Sequence, residues 1–132
     1  MYWASWVSIS AAAVIGALTR WRLAVALNSV FPTLPLGTLA VNLVGGLVMG
    51  ILIEYFSQNA AIPPAVRLAA TTGFLGTLTT FSTFSAETVT LFFRGEYLWA
   101  GVEVFAHVAG SLLMTALGIL TIRFLLAMKG AL

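Results

Sequence analysis

Thirteen residues put hydroxyl groups where hydrocarbon is expected: Gly73-Phe74-Leu75-Gly76-Thr77-Leu78-Thr79-Thr80-Phe81-Ser82-Thr83-Phe84-Ser85, inside the third of four membrane-length apolar stretches. Two glycines and a run of Ser and Thr weaken a helix there. Irregular backbone at membrane depth is tolerated only where it is buried in protein or lines a polar cavity. Discontinuous helices of this kind build ion and substrate sites, so the segment predicts a transport protein and marks where its selectivity would reside. The chemistry on offer is hydrogen bonding to something small. Phe81 and Phe84, three apart, share a helical face with Ser82 and Ser85 beside them. Such an aromatic pair is commonly core packing. The rival reading uses the ring quadrupole, positive at the edge and negative on the face. Ring edges, amide N–H groups and hydroxyls can meet a small anion without a fixed cation that would hold it too tightly for conduction.

Two further stretches carry polar groups in line. Asn42 sits mid-stretch between Val41 and Leu43, with two amide N–H donors and one acceptor that hydrocarbon would leave unsatisfied. It either bonds one helix to another or, with Thr38 one turn earlier on the same face, forms a polar stripe. His107, Ser111 and Thr115 follow at i, i+4 and i+8, one polar line along an apolar helix. Three stacked polar groups read as a pathway wall, although Ser and Thr also bond back to the carbonyl one turn earlier. With a lone His and only the single carboxylate of Glu103 near it in sequence, a zinc or iron site is not expected.

The elements that must position these groups are all of one kind. Of 132 residues, 61% are hydrophobic and 8% charged, which excludes a soluble globular domain. The apolar stretches are Trp3–Leu27, Leu36–Phe56, Ala65–Phe93 and Leu98–Ala127, joined by the short links Asn28–Pro35, Ser57–Pro64 and Arg94–Tyr97. Each reaches the roughly 20 residues that cross a bilayer as helix. The expected fold is an all-α membrane protein: a single transmembrane domain over residues 1–132, with four helices, the third broken near its middle. No cationic region precedes the first apolar run, so a cleavable signal is not expected. The chain has no Cys, which removes disulfides, thiolate metal sites and cysteine nucleophiles.

The net charge of +2 is too small and scattered for nucleic-acid binding. If the helices alternate in direction, Arg67, Arg123 and Lys129 lie toward one face, and Arg20, Arg22 and Arg94 toward the other. Orientation follows an excess of Lys and Arg on the cytoplasmic side, and three against three gives no excess. Such a chain can insert both ways up, unless one misplaced helix end spoils the balance. Oppositely oriented copies would pair as an antiparallel dimer of two-fold symmetry. The segment Gly46-Leu47-Val48-Met49-Gly50 is a small-xxx-small face that permits close helix approach, within the chain or between copies.

Three segments carry a family resemblance: Gly16-Ala17-Leu18-Thr19-Arg20, Gly37-Thr38-Leu39-Ala40-Val41-Asn42 and Thr79-Thr80-Phe81-Ser82-Thr83-Phe84-Ser85. They resemble the successive signatures of the Fluc (CrcB) family of fluoride channels. The resemblance runs from Gly16 to the end of the fourth stretch, and its Phe-containing motif with the upstream Gly-Thr-x-x-x-Asn is highly specific. It implies a dual-topology antiparallel homodimer with two fluoride pores, each lined by both subunits, in a bacterial cytoplasmic (inner) membrane. By the resemblance, Phe81 and Phe84 supply an aromatic box, Asn42 donates its amide, and Ser82 and Thr83 lie in or beside the path. Thr38, His107, Ser111 and Thr115 match the family's polar track. Arg20 matches the vestibule arginine, which concentrates anions at the mouth, and Glu87 a pore end. A structural sodium ion at the dimer centre would be held by the backbone carbonyls of Gly76 and Thr79 from each subunit. Unwound backbone has carbonyls to spare, and a hard cation prefers oxygen. The chain departs from the family at two positions. His107 stands where Tyr is frequent, and Thr77 replaces the second glycine of a Gly-Gly at the break.

The activity the resemblance implies is passive fluoride efflux without catalysis: hydrogen fluoride enters as a neutral acid, dissociates inside, and the anion leaves down the membrane potential. The rival from another class is a small multidrug-exporter-like transporter, also of four helices and also able to insert both ways. Proton-coupled export of cations needs a membrane-embedded carboxylate. The first helix has none, and Glu54, Glu87, Glu96 and Glu103 fall near helix ends or off centre. A non-transporting membrane subunit would leave the stacked hydroxyls unexplained. No Ser–His–carboxylate set or metal cluster points to an enzyme.

Overall fold

Hydrocarbon leaves no partner for a bare backbone group, so apolar stretches of this length are driven to helix. The computed structural model describes residues 2–130, with side chains placed for 3–128, and shows no strand among the described residues. The first helix, α1, is Tyr2–Leu27, and α2 is Leu36–Gln58. A composite α3 starts as α-helix at Pro64–Leu68, widens to π-helix at Ala69–Leu75 and ends in the turn Gly76–Leu78. Thr79 and Thr80 are extended, and α4, Phe81–Phe93, and α5, Tyr97–Gly130, complete the chain. Three helices, α1, α2 and α5, are each long and apolar enough to cross a membrane; α3 and α4 are too short to do so singly.

The third stretch is interrupted, but not at its glycines. Gly73 and Gly76 are both helical, and the chain leaves the helix at Thr79 (φ −77°, ψ 154°) and Thr80 (φ −148°, ψ 109°). Gly73 serves a close approach instead: a Cβ there would lie 2.7 Å from the carbonyl oxygen of Ile9 on α1. The interruption is imposed by α2, through the side chain of Asn42, as described below.

The seam between α2 and α5 is built on small residues. A Cβ on Gly46 would lie 2.9 Å from the Ser111 carbonyl oxygen, and one on Gly50 would run into that of Thr115. The small-xxx-small face is therefore used within the chain, and it brings the Asn42 side of α2 against the His107 side of α5. Six apolar residues are buried among those described: Val41, Leu75, Leu78, Phe84, Leu91 and Ala100. By contrast Trp3, Phe93, Leu98 and Phe105 are each more than 70% exposed. Large apolar side chains turned outward suit lipid or a second chain, not water.

The charges sort to the two ends as helix alternation requires. Arg123 Nε pairs with Glu54 Oε2 at 3.0 Å near the C-terminal end of α2. Arg67 lies at the same end, donating to the Asn59 and Ile62 carbonyls with its guanidinium 5.1 Å from the centre of the Phe56 ring. At the opposite end, Arg20 faces Asn28 and Thr38, and Arg94 shares a cleft with Pro32 and Pro35. The side chain of Lys129, counted in the charge balance, lies outside the described residues.

Candidate ion site at the helix break

Each residue of the Gly37-Thr38-x-x-x-Asn42 motif has a separate task at the N-terminal end of α2. The first N–H groups of a helix have no helical acceptor. Here Asn28 Oδ1 accepts from Gly37 N–H at 2.8 Å and from Thr38 N–H at 3.2 Å, fixing where α2 begins. Only glycine allows this, because a Cβ on Gly37 would sit 2.5 Å from that Oδ1. Thr38 Oγ1 then donates to Glu87 Oε1 on α4 at 2.8 Å. One turn on, Asn42 reaches the break.

Asn42 and Thr80 bond reciprocally: Asn42 Nδ2 donates to the Thr80 carbonyl at 3.1 Å, and Thr80 N–H donates to Asn42 Oδ1 at 2.8 Å. The amide thus replaces both the donor and the acceptor of one peptide unit, and α3 cannot continue into α4. The freed Thr80 hydroxyl caps α4 by accepting from Thr83 N–H at 3.2 Å. Asn42 Nδ2 also lies 3.0 Å from His107 Nδ1. Since Thr80 fixes which end of the amide is nitrogen, His107 Nδ1 must accept, and a neutral ring carries its proton on Nε2. Phe84 stacks on that ring at 4.7 Å between centroids, and Phe81 meets Phe84 edge to face at 5.5 Å.

These groups line one open cavity of about 460 Å³, with no residue of α1 in its wall. Asn42, Phe81, Phe84, His107, Ser111 and Thr115 all contribute to its wall, as do Gly76 and Thr79. Phe84 is 7% exposed and Phe81 77%, so one ring is fixed in the fold and the other projects from it. The Thr115 hydroxyl bonds back to the Ser111 carbonyl at 2.9 Å, the local alternative that such residues allow. Arg20, Thr38 and Thr83 line a second, smaller cavity, which Thr80 separates from the first. Thr80 Oγ1 donates to Thr83 Oγ1 at 2.8 Å and lies 3.4 Å from Ser82 Oγ. Apart from Ser82, which is exposed and lines neither space, the sequence-predicted pore residues are therefore gathered around the break, in two spaces that meet at Thr80. Glu87 is at the far side of Thr38 and lines an outer cleft with Arg94.

Diverting Thr80 N–H to Asn42 has a second effect. The Gly76 carbonyl loses its helical donor, and Gly76 and Thr79 both lie at the open cavity. Two carbonyl oxygens without helical partners form the donor type a hard cation takes, so these residues fit a sodium ion. The departure at Thr77 does not disturb them. Its hydroxyl points the other way, with the carbonyls of Gly73 (2.8 Å) and Ala13 (3.0 Å) as acceptors, and ties α3 to α1.

Sequence reasoning missed three participants. Asn28 sits in a link, and nothing local distinguishes a capping Asn from a turn residue. Thr80 was one hydroxyl among many, its backbone role set by a partner 38 residues away. Glu103, read as off centre, is fully buried one turn before His107, with Glu87 brought against it by the packing of α4 on α5. The i−4 spacing from His107 was the available signal.

Fold and site together define a multi-pass membrane protein with a polar site at a helix interruption. Residues 7–119 match the family described as CrcB-like protein, Camphor Resistance (CrcB), and the chain belongs to that family. A protein of Nitrosospira multiformis named fluoride-specific ion channel FluC is 59% identical over 118 residues, covering 89% of this chain and 92% of its own. Proteins of the same name are similar in Tolumonas auensis (51% identity; 90% of this chain, 94% of the relative) and Pseudomonas paraeruginosa (51%; 94% and 98%).

Proposed function

We propose that this chain is a fluoride-selective channel, carrying the anion passively out of the bacterial cell across the cytoplasmic membrane. The observation that carries the proposal is the hub at the break, where Asn42 joins Thr80 to His107 and two Phe rings share the same cavity wall. Fluoride holds its water tightly, so a pore must offer replacement donors while the hold stays weak enough for release. Phe edges, the His107 Nε2–H, and the hydroxyls of Ser82, Thr83 and Ser111 are such donors, and the Thr115 hydroxyl becomes one when its bond to the Ser111 carbonyl yields. Asn42 has both amide hydrogens engaged, so its first role is to shape the site; it donates to the ion when one of those bonds yields. Thr38 continues the path toward Glu87, and Arg20 raises anion concentration at its mouth. No step breaks or forms a covalent bond.

The working unit is an antiparallel pair of chains with two pores, in which α3 and α4 together make the fourth crossing. The open side of the central cavity and the outward Phe81 ring support this, because one chain leaves the path unwalled. The Gly76 and Thr79 carbonyls of two facing chains would hold a structural sodium ion, which supplies positive charge where four carbonyls converge. A direct cellular test is growth of an exporter-deficient bacterium on fluoride. Expression of this chain should restore growth, and Asn42→Asp should not; absence of rescue by well-expressed wild type would contradict the proposal.

A further inference from the structure

Glu103 has no part in the path as drawn, yet the fold places it at the centre of a buried cluster. It extends the polar line of α5 by one turn, giving Glu103, His107, Ser111 and Thr115 in register. One ligating atom each from Glu87, Glu103 and His107 lies within 4.8 Å of the others. Glu103 is 0% exposed, and neither of its oxygens has a hydrogen-bond partner among the described residues. Glu87 Oε2 and His107 Nε2 are likewise unpartnered. His107 lines the central cavity and Glu87 the outer cleft, and Glu103, which lines neither, is buried within reach of both side chains.

We propose that Glu87 and Glu103 hold one proton between them, and that Glu103, as the neutral acid, is a further hydrogen-bond donor on the anion path. The proposal rests on the fluoride-channel reading above. Two carboxylates this close, in a low-dielectric setting without a compensating cation, resist ionising together, so the second proton is held more tightly than the first. Among the described residues no Lys or Arg lies within 4.0 Å of either. From α4 the facing groups are Glu87 and the non-titrating Thr88; from α2 they are Thr38 and Asn42, which do not titrate. On α5 itself the neighbour is His107, while Arg20 and Arg94 stand in the flanking spaces. Thr38 satisfies one oxygen of Glu87 and leaves the other free.

A divalent cation is the other way to neutralise such a set, and His107 argues against it. Its Nδ1 accepts from Asn42, which leaves the proton on Nε2, and a ring nitrogen that carries hydrogen cannot ligate a metal. With the shared proton in place the cluster presents donors, O–H and Nε2–H, to a passing anion. Without it, Glu103 offers no O–H and the pair carries two negative charges in place of the one on Glu87. Fluoride passage is then open while the proton is bound and closes as rising pH removes it.

The test combines fluoride efflux from proteoliposomes, with equal pH inside and out, and infrared spectroscopy of the purified protein. Efflux is followed from about pH 6 to pH 9, within the span over which buried glutamates titrate. Wild-type efflux should fall about tenfold or more on ionisation, the effect of one like charge close to the path. Glu103→Gln, a donor that cannot ionise, should give a flat profile, and Glu103→Leu should be slow at every pH. The infrared spectrum should show a protonated-carboxyl carbonyl band that disappears over the same pH range, assignable because the chain has only four acidic residues. A flat wild-type profile, a wild-type slope in Glu103→Gln, a missing acid band or a stoichiometric divalent metal in the purified protein would each overturn the proposal. Wild type that passes no fluoride at any pH overturns the channel reading instead, and the acid band then judges the shared proton by itself.

Discussion

At the scale of single residues, Asn42 decides the most. Its oxygen and nitrogen hold the interruption, and its second N–H sets the proton of His107. Asn42→Asp keeps the acceptor for Thr80 N–H, loses both donors and adds a negative charge beside the path. Fluoride flux in liposomes should fall about a hundredfold, as one close like charge of about 3 kcal/mol implies; an unchanged flux would show that the amide does not face the ion route. The Phe pair separates volume from polarity. Ile keeps bulk and loses the positive edge, so Phe81→Ile should slow fluoride about fivefold, matching the roughly 1 kcal/mol of an edge contact. Phe84→Ile should slow it at least as much, because it also removes the ring stacked on His107. Equal flux in both variants would return the two rings to plain packing. Asn42, His107 and both Phe residues were legible in the sequence as polar or aromatic groups at helical spacing. Their mutual contacts were not, since each joins residues on different helices.

At the scale of elements, the sequence was most readable where hydrophobic length alone decides. The bounds of α1, α2 and α5 follow from apolar runs ended by Asn, Pro and Gly. The interruption was foreseen near the middle of the third stretch, where Thr79 and Thr80 make it, but its cause was not, because that lies on another helix. Gly73 and Gly76 turned out to be sites of contact and exposure inside α3, not the point where it stops. Gly50 shows the same use of glycine on the α2–α5 seam. A side chain there meets the Thr115 carbonyl, so Gly50→Val forces the helices apart at a cost of about 1–3 kcal/mol. Thermal unfolding in detergent should show a lowered midpoint, with fluoride flux reduced because Asn42 and His107 ride on the separated helices. An unaltered midpoint would mean the seam is looser than its geometry.

At the scale of the whole molecule, a single chain is an unfinished wall. Its central cavity is open, its apolar residues mostly face outward, and its arginines are divided between the two ends. A balanced charge distribution predicts insertion in both orientations. The chain has no Cys, so Ser29→Cys in the α1–α2 link is a unique label, and a membrane-impermeant thiol reagent should reach about half of the molecules from each side of sealed vesicles. Labelling from one side alone would exclude an antiparallel pair. The central claim is that this chain passes fluoride and refuses its larger halide relative. It is tested most directly by purified protein in liposomes, with a potassium ionophore clamping the voltage and chloride as the control. The account predicts rapid fluoride efflux with chloride retained. Fluoride that stays inside around a folded protein, or chloride that leaves with it, would contradict the account.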